Sequence, residues 1–348
     1  MKQIPLAERR NLLLRLGEHL RTGTDEFLAA LQHRTSHHNL WLTVENQQKA
    51  VSALANDMLG ERTLQRWLDR YQLPETKAEV KTVGLVLAGN IPLVGFHDVV
   101  SVFLAGHRAQ IKPSDKDPYV LPYLLQLLGK WDERATAYFS IVPRLENFDA
   151  VIATGSDNSA RYFEQYFGKY PHVIRRNRNG VAVLSGRETD EQLRALAHDV
   201  FDYFGLGCRN VSKLYVPQDY DPNRLLEMLH EHRDLVRHGK YKNNFDYNFA
   251  VLTLNGTPFY NNGCVMLVET EQIPSRIAQL HFERYENLTA VIEHLKDKHE
   301  AIQVIVSAME LPGLETFPLG AAQHPKPWNY ADGVDTIGVL ERWFVNSR

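Results

Sequence analysis

Three kinds of feature are scarce in this chain, and each absence excludes a class of protein. Its 348 residues include two cysteines, Cys208 and Cys264, too few for a disulfide scaffold, so we expect a reducing compartment. No run of about 18 apolar residues occurs, and the start has no apolar segment of signal-peptide length, which predicts a cytoplasmic protein without a membrane span. The 39 basic residues do not exceed the 42 acidic ones, which argues against nucleic-acid binding.

What remains is an ordinary globular composition, with 44% hydrophobic and 23% charged residues. A chain of this length predicts about two domains. We expect a helical N-terminus with a cofactor-binding domain over residues 1–186, and a catalytic domain over 187–306. Residues 307–348 are expected to return to the first domain.

The first 75 residues predict helices, because their apolar residues recur at helical spacing. Within them, His33, His37 and His38 form a cluster that invites a metal interpretation. No cysteine or carboxylate stands at a recognisable ligand spacing from them, so we interpret the cluster as a solvated helix end and expect no metal.

From residue 82, short apolar strands alternate with helical segments, which predicts a doubly wound α/β domain with a parallel sheet. The run Val83–Ala88 is continuously apolar, which is typical of a strand covered on both faces. Further strands are predicted at 109–112, 136–142, 149–153, 172–175 and 181–184.

A second α/β unit begins near residue 187. The capping box Thr189–Gln192 predicts the start of a helix. In the tail, Ile337–Phe344 is interpreted as an edge strand, a candidate for pairing with a second copy in a homo-oligomer. Other strands of this unit are predicted at 212–216, 249–254, 264–269 and 302–306.

Cys208 is the first candidate for chemistry. It lies in Phe204-Gly-Leu-Gly-Cys-Arg209, straight after a predicted helix, where glycines leave a thiol accessible and Arg209 would favour the thiolate. The alternative is a small buried side chain. For Cys264, which opens an apolar strand, we expect that packing role.

Asn90 is the second candidate, because it stands on the turn that follows the first strand. Ligands of open α/β sheets bind beyond the carboxyl ends of the strands, and an amide there can donate to a developing oxyanion. An ordinary turn residue is the alternative.

Two later turns carry the remaining candidates. The turn Lys112-Pro-Ser-Asp115 would hold a nucleotide ribose, unless it is only a solvated loop. Thr154-Gly-Ser156 opens a helix and would bind an anion through free backbone N–H groups. The ordinary G-x-G-x-x-G dinucleotide fingerprint is absent.

Together these motifs resemble the aldehyde dehydrogenase superfamily. The order is strand-Gly-Asn, strand-Lys-Pro-Ser-acid and strand-Thr-Gly-Ser, followed by a glycine-flanked cysteine. Two segments narrow the resemblance to the acyl-CoA reductase family, typified by the fatty acyl reductase of bacterial luminescence. They are the signature segment Ala88-Gly-Asn-Ile-Pro-Leu-Val-Gly-Phe-His-Asp98 and the closing motif Trp328-Asn-Tyr-Ala-Asp-Gly-Val-Asp-Thr336. The resemblance implies an aldehyde dehydrogenase-like fold: the doubly wound cofactor domain and a second α/β catalytic domain.

The resemblance also implies an activity, the reduction of an acyl-CoA thioester to an aldehyde through an S-acyl-cysteine. Cys208 would be the nucleophile, and its backbone N–H and the Asn90 amide would form the oxyanion hole. The adenosine ribose and the pyrophosphate would be held by two sets of residues, Lys112, Ser114 and Asp115 for the first and Thr154, Gly155 and Ser156 for the second.

The implied cofactor is NADPH. NADH stays open, because the acid Asp115 would bond to a ribose 2′-hydroxyl and repel a 2′-phosphate, although Lys116 would offset this. The implied partners are the acyl-CoA substrate and an acyl-activating synthetase. His97 and Asp98 of the signature segment would serve proton transfer, helix capping or packing.

One departure from aldehyde-oxidising relatives bears on the reaction. Their general-base glutamate corresponds to the stretch Ile174–Val183, which contains no acid here. Hydrolysis of a thioester intermediate needs a base to activate water, so its absence favours thioester reduction. A base from elsewhere, such as Glu188 or Glu269, would instead permit oxidation of aldehydes to acids. A catalytically inactive homologue that binds acyl thioesters or a partner is the third alternative.

Overall fold

The fold is given by a computed structural model that describes residues 2–345. Within that range no helix is long and apolar enough to cross a membrane. The α-helices are α1 (Leu6–Thr22), α2 (Glu26–His38), α3 (Val44–Ala53), α4 (Glu61–Leu68), α5 (Phe96–Leu104), α6 (Val120–Trp131), α7 (Asp157–Phe167), α8 (Asp190–Phe201), α9 (Asn223–His230), α10 (Gly239–Leu254), α11 (Leu288–Asp297) and α12 (Thr336–Val345). The strands are β1 (Thr82–Val86), β2 (Arg108–Lys112), β3 (Phe139–Ile141), β4 (Ala150–Thr154), β5 (His172–Arg175), β6 (Asn179–Val183), β7 (Val211–Pro217), β8 (Phe259–Asn261), β9 (Met266–Glu269), β10 (Gln279–Tyr285) and β11 (Ile302–Ser307).

Five parallel strands form the sheet of a first compact unit, which comprises the chain up to Asn177 and again from Pro325. The strand order is β3-β2-β1-β4-β5. The chain winds from β1 through β2 to β3 on one side and places β4 and β5 on the other. The order therefore reverses at β1, and the predicted doubly wound sheet is confirmed.

The predicted N-terminal helices pack on this sheet. Leu13 and Leu16 of α1 and Trp67 of α4 are fully buried in one cluster with Val83 and Leu85 of β1. The spacing of the apolar residues along α1 accounts for this, since residues three and four apart share a helix face. The helical start is thus part of the core of the first unit.

A second compact unit spans Arg178–His324 and contains a six-stranded mixed sheet in the order β11-β6-β7-β10-β9-β8. The edge strand β8 runs antiparallel to β9, whereas the other pairs are parallel. The predicted capping box is present, because Thr189 accepts the Gln192 N–H and the Gln192 side chain accepts the Thr189 N–H. The predicted second α/β domain is confirmed.

The boundaries between the units differ from those predicted at 186 and 306. The first lies after Asn177, because β6 joins the second sheet, where it pairs with β7 and β11. Val181 and Val183 are buried between these neighbours. An apolar strand shows by its sequence that both of its faces are covered, but not which sheet it joins. Residues 307–324 likewise belong to the second unit rather than to the returning segment.

Two predicted strands are wrong, because each lies in a helix. Residues 249–254 form the last turns of α10, and Ile337–Phe344 lies within α12. The Asp335 carboxylate accepts the Gly338 N–H at 2.9 Å, so the first turn of α12 is capped by a side chain. The candidate oligomerisation strand therefore does not exist, and residues 346–348 lie outside the described residues. The strand predicted at 136–142 shortens to β3.

A buried ion pair ties the C-terminal segment (residues 325–345) to the first sheet. Arg175, the last residue of β5, donates to the Asp98 carboxylate in the first turn of α5. It also donates, at 3.0 Å, to the hydroxyl of Thr336, the first residue of α12. All three side chains are buried. Since removing each charge from water costs several kcal/mol, each ion depends on its partner for compensation.

We predict that Asp98→Ala lowers the free energy of unfolding by about 3–5 kcal/mol, because it leaves Arg175 charged, buried and uncompensated. Urea unfolding followed by circular dichroism measures this change. The matched control is Glu79→Ala, which removes an exposed partner of Lys81 and should leave the unfolding midpoint unchanged. Equal midpoints for Asp98→Ala and the wild-type chain would contradict the structural role of the ion pair.

Candidate active site

The predicted catalytic Asn90 and the predicted cofactor-binding residues lie at one edge of the sheet of the first unit. Asn90, the Lys112–Asp115 turn and the Thr154–Ser156 loop follow β1, β2 and β4, which are parallel neighbours. The carboxyl ends of these strands therefore meet where the strand order reverses. In open α/β sheets this is where the ligand crevice forms.

The first two of these loops are in direct contact. Gly89 packs so closely on the next turn that a Cβ atom there would lie 2.5 Å from the Ser114 Oγ. A glycine is therefore required beside Asn90, because any side chain would push the two loops apart. The contact places the half-buried Asn90 next to the predicted ribose-binding turn.

A second contact between these loops involves a residue that the sequence analysis missed. Leu93, three residues after Asn90, has a φ angle of 56°, in the left-handed region. Its N–H donates to the carboxylate of Asp117 at 3.0 Å, and both residues are buried. An acid two positions beyond the Lys-Pro-Ser-Asp turn is the only trace of this bond in the sequence.

The N-terminal helix α2 supports the predicted ribose-binding turn. His38 Nε2 lies 2.7 Å from the Asp115 carbonyl oxygen, and the Asn39 side chain donates to the Lys116 carbonyl at 3.3 Å. These bonds use the backbone of the turn, while the Asp115 and Lys116 side chains stay exposed. His38 thus has a structural partner. No group of three or more His, Cys, Asp or Glu side chains in the described part of the chain is arranged to hold a metal.

The Thr154–Ser156 loop leads into α7 as predicted. Ser156 caps the helix, since its Oγ accepts the Ser159 N–H at 3.3 Å. The Gly155 N–H donates to the Arg175 carbonyl at 3.2 Å, which fixes the loop against β5. Ser156 is exposed, so an anion can approach the first turn of a helix of 11 residues.

Cys208, the predicted nucleophile, lies in the second unit, on the loop Asp202–Asn210 between α8 and β7, here called the Cys208 loop. Three consecutive residues of this loop have left-handed φ angles: 55° at Tyr203, 59° at Phe204 and 73° at Gly205. Such backbone costs energy at the two non-glycine positions and requires support from its surroundings. Cys208 itself is partly exposed and unbridged.

Asn210 supplies much of that support and was also missed. Its Oδ1 accepts the Gly207 N–H at 2.8 Å, while its Nδ2 donates to the carbonyls of Asp199 and Asp202 at 3.0 and 2.9 Å. The side chain is buried. One amide therefore closes the end of α8 and fixes the residue just before Cys208.

Arg209, next to Cys208, is half-buried and held by two contacts. Its Nε donates to the Ala322 carbonyl at 2.5 Å, and its guanidinium lies 5.0 Å from the Phe317 ring. Burial lowers the pKa of Arg209, and its interaction with Cys208 opposes that shift. Because an arginine keeps its charge, Arg209 places a cation in electrostatic interaction with the Cys208 side chain.

The segment that receives Arg209 is itself held by a buried acid. Both oxygens of the Asp199 carboxylate accept backbone N–H groups, from Gly320 at 2.6 Å and from Ala322 at 2.9 Å. Burial raises the pKa of Asp199 to about 6. The Cys208 loop, α8 and residues 320–322 are thus joined by buried polar contacts.

The two candidate general bases are both engaged elsewhere. Glu188 is 3% exposed and accepts three hydrogen bonds, from the Ser185 N–H and hydroxyl and from the Gly186 N–H. Glu269, at the end of β9, lies 3.4 Å from Arg284 in an ion pair. Glu188 thus supports a backbone turn, and Glu269 lies in an exposed ion pair.

Cys264, His97 and Asp98, which the sequence analysis also singled out, make contacts that stabilise the fold. Cys264 is fully buried, 3.3 Å from Asn262 Oδ1, and burial raises the pKa of its thiol to about 11. His97 Nε2 lies 2.7 Å from the Pro327 carbonyl, and its ring packs on Trp67. Together with the Asp98 ion pair, this shows that the signature segment binds the C-terminal segment.

A family model described as Acyl-CoA reductase (LuxC) matches residues 29–236, more than half of the chain. The chain is similar to the long-chain acyl-protein thioester reductase 2 of Photobacterium leiognathi, at 22% identity over 56% of this chain and 44% of that protein. It is also 24% identical to the long-chain acyl-protein thioester reductase of Aliivibrio fischeri, over 58% of this chain and 46% of that one. The matches thus span about half the length of these curated relatives.

The solved structures that the chain resembles are aldehyde dehydrogenases. Aldehyde dehydrogenase 21 of Physcomitrella patens, in complex with succinate, matches with a TM-score of 0.65 over 87% of this chain and 73% of that one, at 15% identity. A putative aldehyde dehydrogenase of Burkholderia cenocepacia matches equally well, over 88% and 75% of the two chains. At such low identity these likenesses establish the fold alone, and they confirm the predicted aldehyde dehydrogenase-like fold.

We predict that iodoacetamide at pH 8 modifies Cys208 and not Cys264 in the native chain. Cys264 is buried, and with a pKa of about 11 its thiol stays protonated at that pH, whereas Cys208 is partly exposed beside Arg209. Mass spectrometry should find one adduct in the native chain, two after unfolding, and none in native Cys208→Ala. A native adduct on Cys264 would contradict the assignment.

Proposed function

We propose that this chain, which belongs to the acyl-CoA reductase (LuxC) family, reduces an acyl thioester to an aldehyde through an S-acyl intermediate on Cys208. A reduced nicotinamide cofactor would be the hydride donor. The observation that carries the proposal is the state of the two thiols. Cys208 is partly exposed on a left-handed loop fixed by Asn210, whereas Cys264 is buried.

Cys208 starts the proposed reaction. Its thiolate attacks the carbonyl carbon of the acyl thioester, a new carbon–sulfur bond forms, and the CoA thiolate leaves as the old bond breaks. The charge of Arg209 favours the thiolate that makes the attack. We expect the left-handed backbone before Cys208, supported by Asn210, to hold the N–H and the side chain of Cys208 in one fixed arrangement.

The residues at the sheet edge of the first unit fit a nicotinamide dinucleotide. Lys112 and Ser114 offer donors to a ribose, Asp115 offers acceptors, and the capped start of α7 offers N–H groups to a pyrophosphate. Gly89 packs on the Ser114 side chain, which holds the loop after β1 against this turn. When bound, the cofactor supplies the hydride that the acyl carbon receives.

The proposed role of Asn90 is to donate its side-chain amide to the oxyanion of the resulting thiohemiacetal, together with the Cys208 backbone N–H. Removing one such donor typically raises the barrier by about 2.7–4 kcal/mol. Collapse of the thiohemiacetal then breaks the carbon–sulfur bond, releases the aldehyde and restores the Cys208 thiolate.

Oxidation of aldehydes to acids is the less favoured reaction. It needs a base to activate water against the S-acyl intermediate, and the stretch Ile174–Val183 has none. Glu188 and Glu269 are held by other contacts. An enzyme that passes its acyl group to or from a thiol is better without such a base, because water would consume the intermediate.

The substrate and partner are also part of the proposal. We propose a fatty acyl-CoA as the acyl donor and an acyl-activating synthetase as a partner. The Photobacterium leiognathi and Aliivibrio fischeri relatives are named long-chain acyl-protein thioester reductases, so a protein-bound acyl thioester is the second donor to be tested.

We predict that the wild-type chain oxidises NADPH or NADH in the presence of fatty acyl-CoA and releases the aldehyde, and that Cys208→Ala abolishes both turnover and covalent acyl labelling. Cys264→Ala is the matched control and should retain both, because that thiol only packs. Loss of reduced-cofactor absorbance and mass spectrometry of the acyl adduct are the measurements. Full turnover by Cys208→Ala would overturn the proposal, as would rapid CoA-independent formation of acid from aldehyde and oxidised cofactor.

The choice between NADPH and NADH can be tested at Asp115. Its exposed carboxylate would repel a ribose 2′-phosphate, and two charges at 4 Å in water interact by about 1 kcal/mol. We therefore predict that Asp115→Asn raises kcat/KM for NADPH relative to NADH by roughly fivefold. Lys116→Ala should shift the ratio the other way. An unchanged ratio in both variants would show that this turn does not meet the 2′ position.

A further inference from the structure

Asp117 is a buried acid to which the reaction assigns no role. It lies two residues beyond the predicted ribose-binding turn and is 8% exposed. Its Oδ2 accepts the N–H of Leu93 at 3.0 Å, which links the loop after β2 to the loop after β1. Burial raises the pKa of Asp117, and the bond from Leu93 opposes that rise. Burying the Asp117 carboxylate costs free energy, and the hydrogen bond from the Leu93 N–H offsets part of that cost.

The group that receives this bond is unusual. Leu93 has a φ angle of 56°, where the Cβ of an L-residue is crowded by the backbone, which costs of order 1 kcal/mol or more. Its N–H would be buried and unsatisfied without Asp117. The conformation of Leu93 thus depends on the Asp117 carboxylate, and it sets the direction of the chain three residues after Asn90.

The turn that carries Asp117 is itself closed by local bonds. The Asp117 N–H donates to the Ser114 carbonyl at 3.1 Å, and the Lys116 N–H donates to the Ser114 Oγ at 3.2 Å. Ser114 is also the residue on which Gly89 packs. Asn90 therefore lies between Gly89 and Leu93 in the sequence, and both of these residues contact the same turn.

We propose that Asp117 is a positioning residue, which fixes the side-chain amide of Asn90 by holding Leu93 in its left-handed conformation. This inference rests on the proposed role of Asn90 as an oxyanion donor. Asp117 touches neither substrate nor cofactor in this account. It joins the loop after β1, which carries Asn90, and the predicted ribose-binding turn into one rigid unit. Rigidity matters here because misplacing a catalytic group by about 1 Å can cost 10²-fold in rate.

A double-mutant cycle tests whether Asp117 acts through Asn90. Asn90→Ala should lower kcat by about 10²–10³-fold. Asp117→Ala should lower kcat by at least about tenfold in the wild-type background, but by less than about twofold when Asn90 is already alanine. Asp117→Asn keeps an acceptor oxygen and should recover most of the loss. A purely structural role would reduce kcat equally in both backgrounds, and that result would overturn the inference.

A second readout needs no substrate and separates this inference from the proposed function. Exchange of the Leu93 amide with deuterium should accelerate at least about tenfold in Asp117→Ala. The matched control is Asp149→Ala, which removes an acceptor of the Thr82 N–H (2.7 Å) at the opposite end of β1 and should leave the Leu93 amide unchanged. Unchanged Leu93 exchange in Asp117→Ala would overturn the inference whatever the activity. An inactive wild-type chain with accelerated exchange in the variant would overturn the proposed function while upholding the contact that fixes Leu93.

Discussion

The buried ion pair between Asp98 and Arg175 is the contact on which the first unit depends. Arg175 ends β5, and its side chain reaches the first turns of both α5 and α12, while its carbonyl accepts the Gly155 N–H. One residue therefore joins the signature segment, the C-terminal segment and the predicted pyrophosphate loop. Two buried charges tolerate few alternative arrangements, because separating them leaves each without compensation. The signature segment and the closing motif thus meet in one structural contact, through Asp98, Arg175 and Thr336.

In both units a buried polar side chain supports left-handed backbone near a proposed catalytic residue. In the first, the buried carboxylate of Asp117 supports a left-handed Leu93 beside Asn90. In the second, the buried amide of Asn210 supports the left-handed backbone before Cys208. A strained backbone conformation persists only where its surroundings determine it, and a buried hydrogen bond is a directional way to do so. In each unit the supporting polar side chain lies on a turn, and the proposed reaction assigns it no step.

Much of the fold could be predicted because it follows from periodicity. Continuous apolar runs such as Val83–Ala88 identify covered strands, and parallel strands place the loops after them at one edge. The predictions that failed concern segments whose structure depends on contacts distant in the sequence. The apolar residues of Ile337–Phe344 would suit a strand or a helix. Packing within the first unit and the Asp335 cap stabilise the helix. Asp117 and Asn210 were missed for a related reason: a polar residue in a turn has the same sequence pattern whether it faces water or holds a buried N–H.

The bonds of two buried acids in the second unit bear on the proposed absence of a general base. Glu188 is one of the candidate bases named from the sequence, and Asp199 is a further acid of the second unit whose pKa burial raises to about 6, a range that suits base catalysis. The bonds of both carboxylates give them another role. Both oxygens of Asp199 accept backbone N–H groups of Gly320 and Ala322, and both oxygens of Glu188 accept donors from the turn after β6. A carboxylate whose oxygens are held in this way supports the backbone at the expense of proton transfer. In the proposed reaction, neither of these two carboxylates would therefore activate water against an S-acyl intermediate on Cys208.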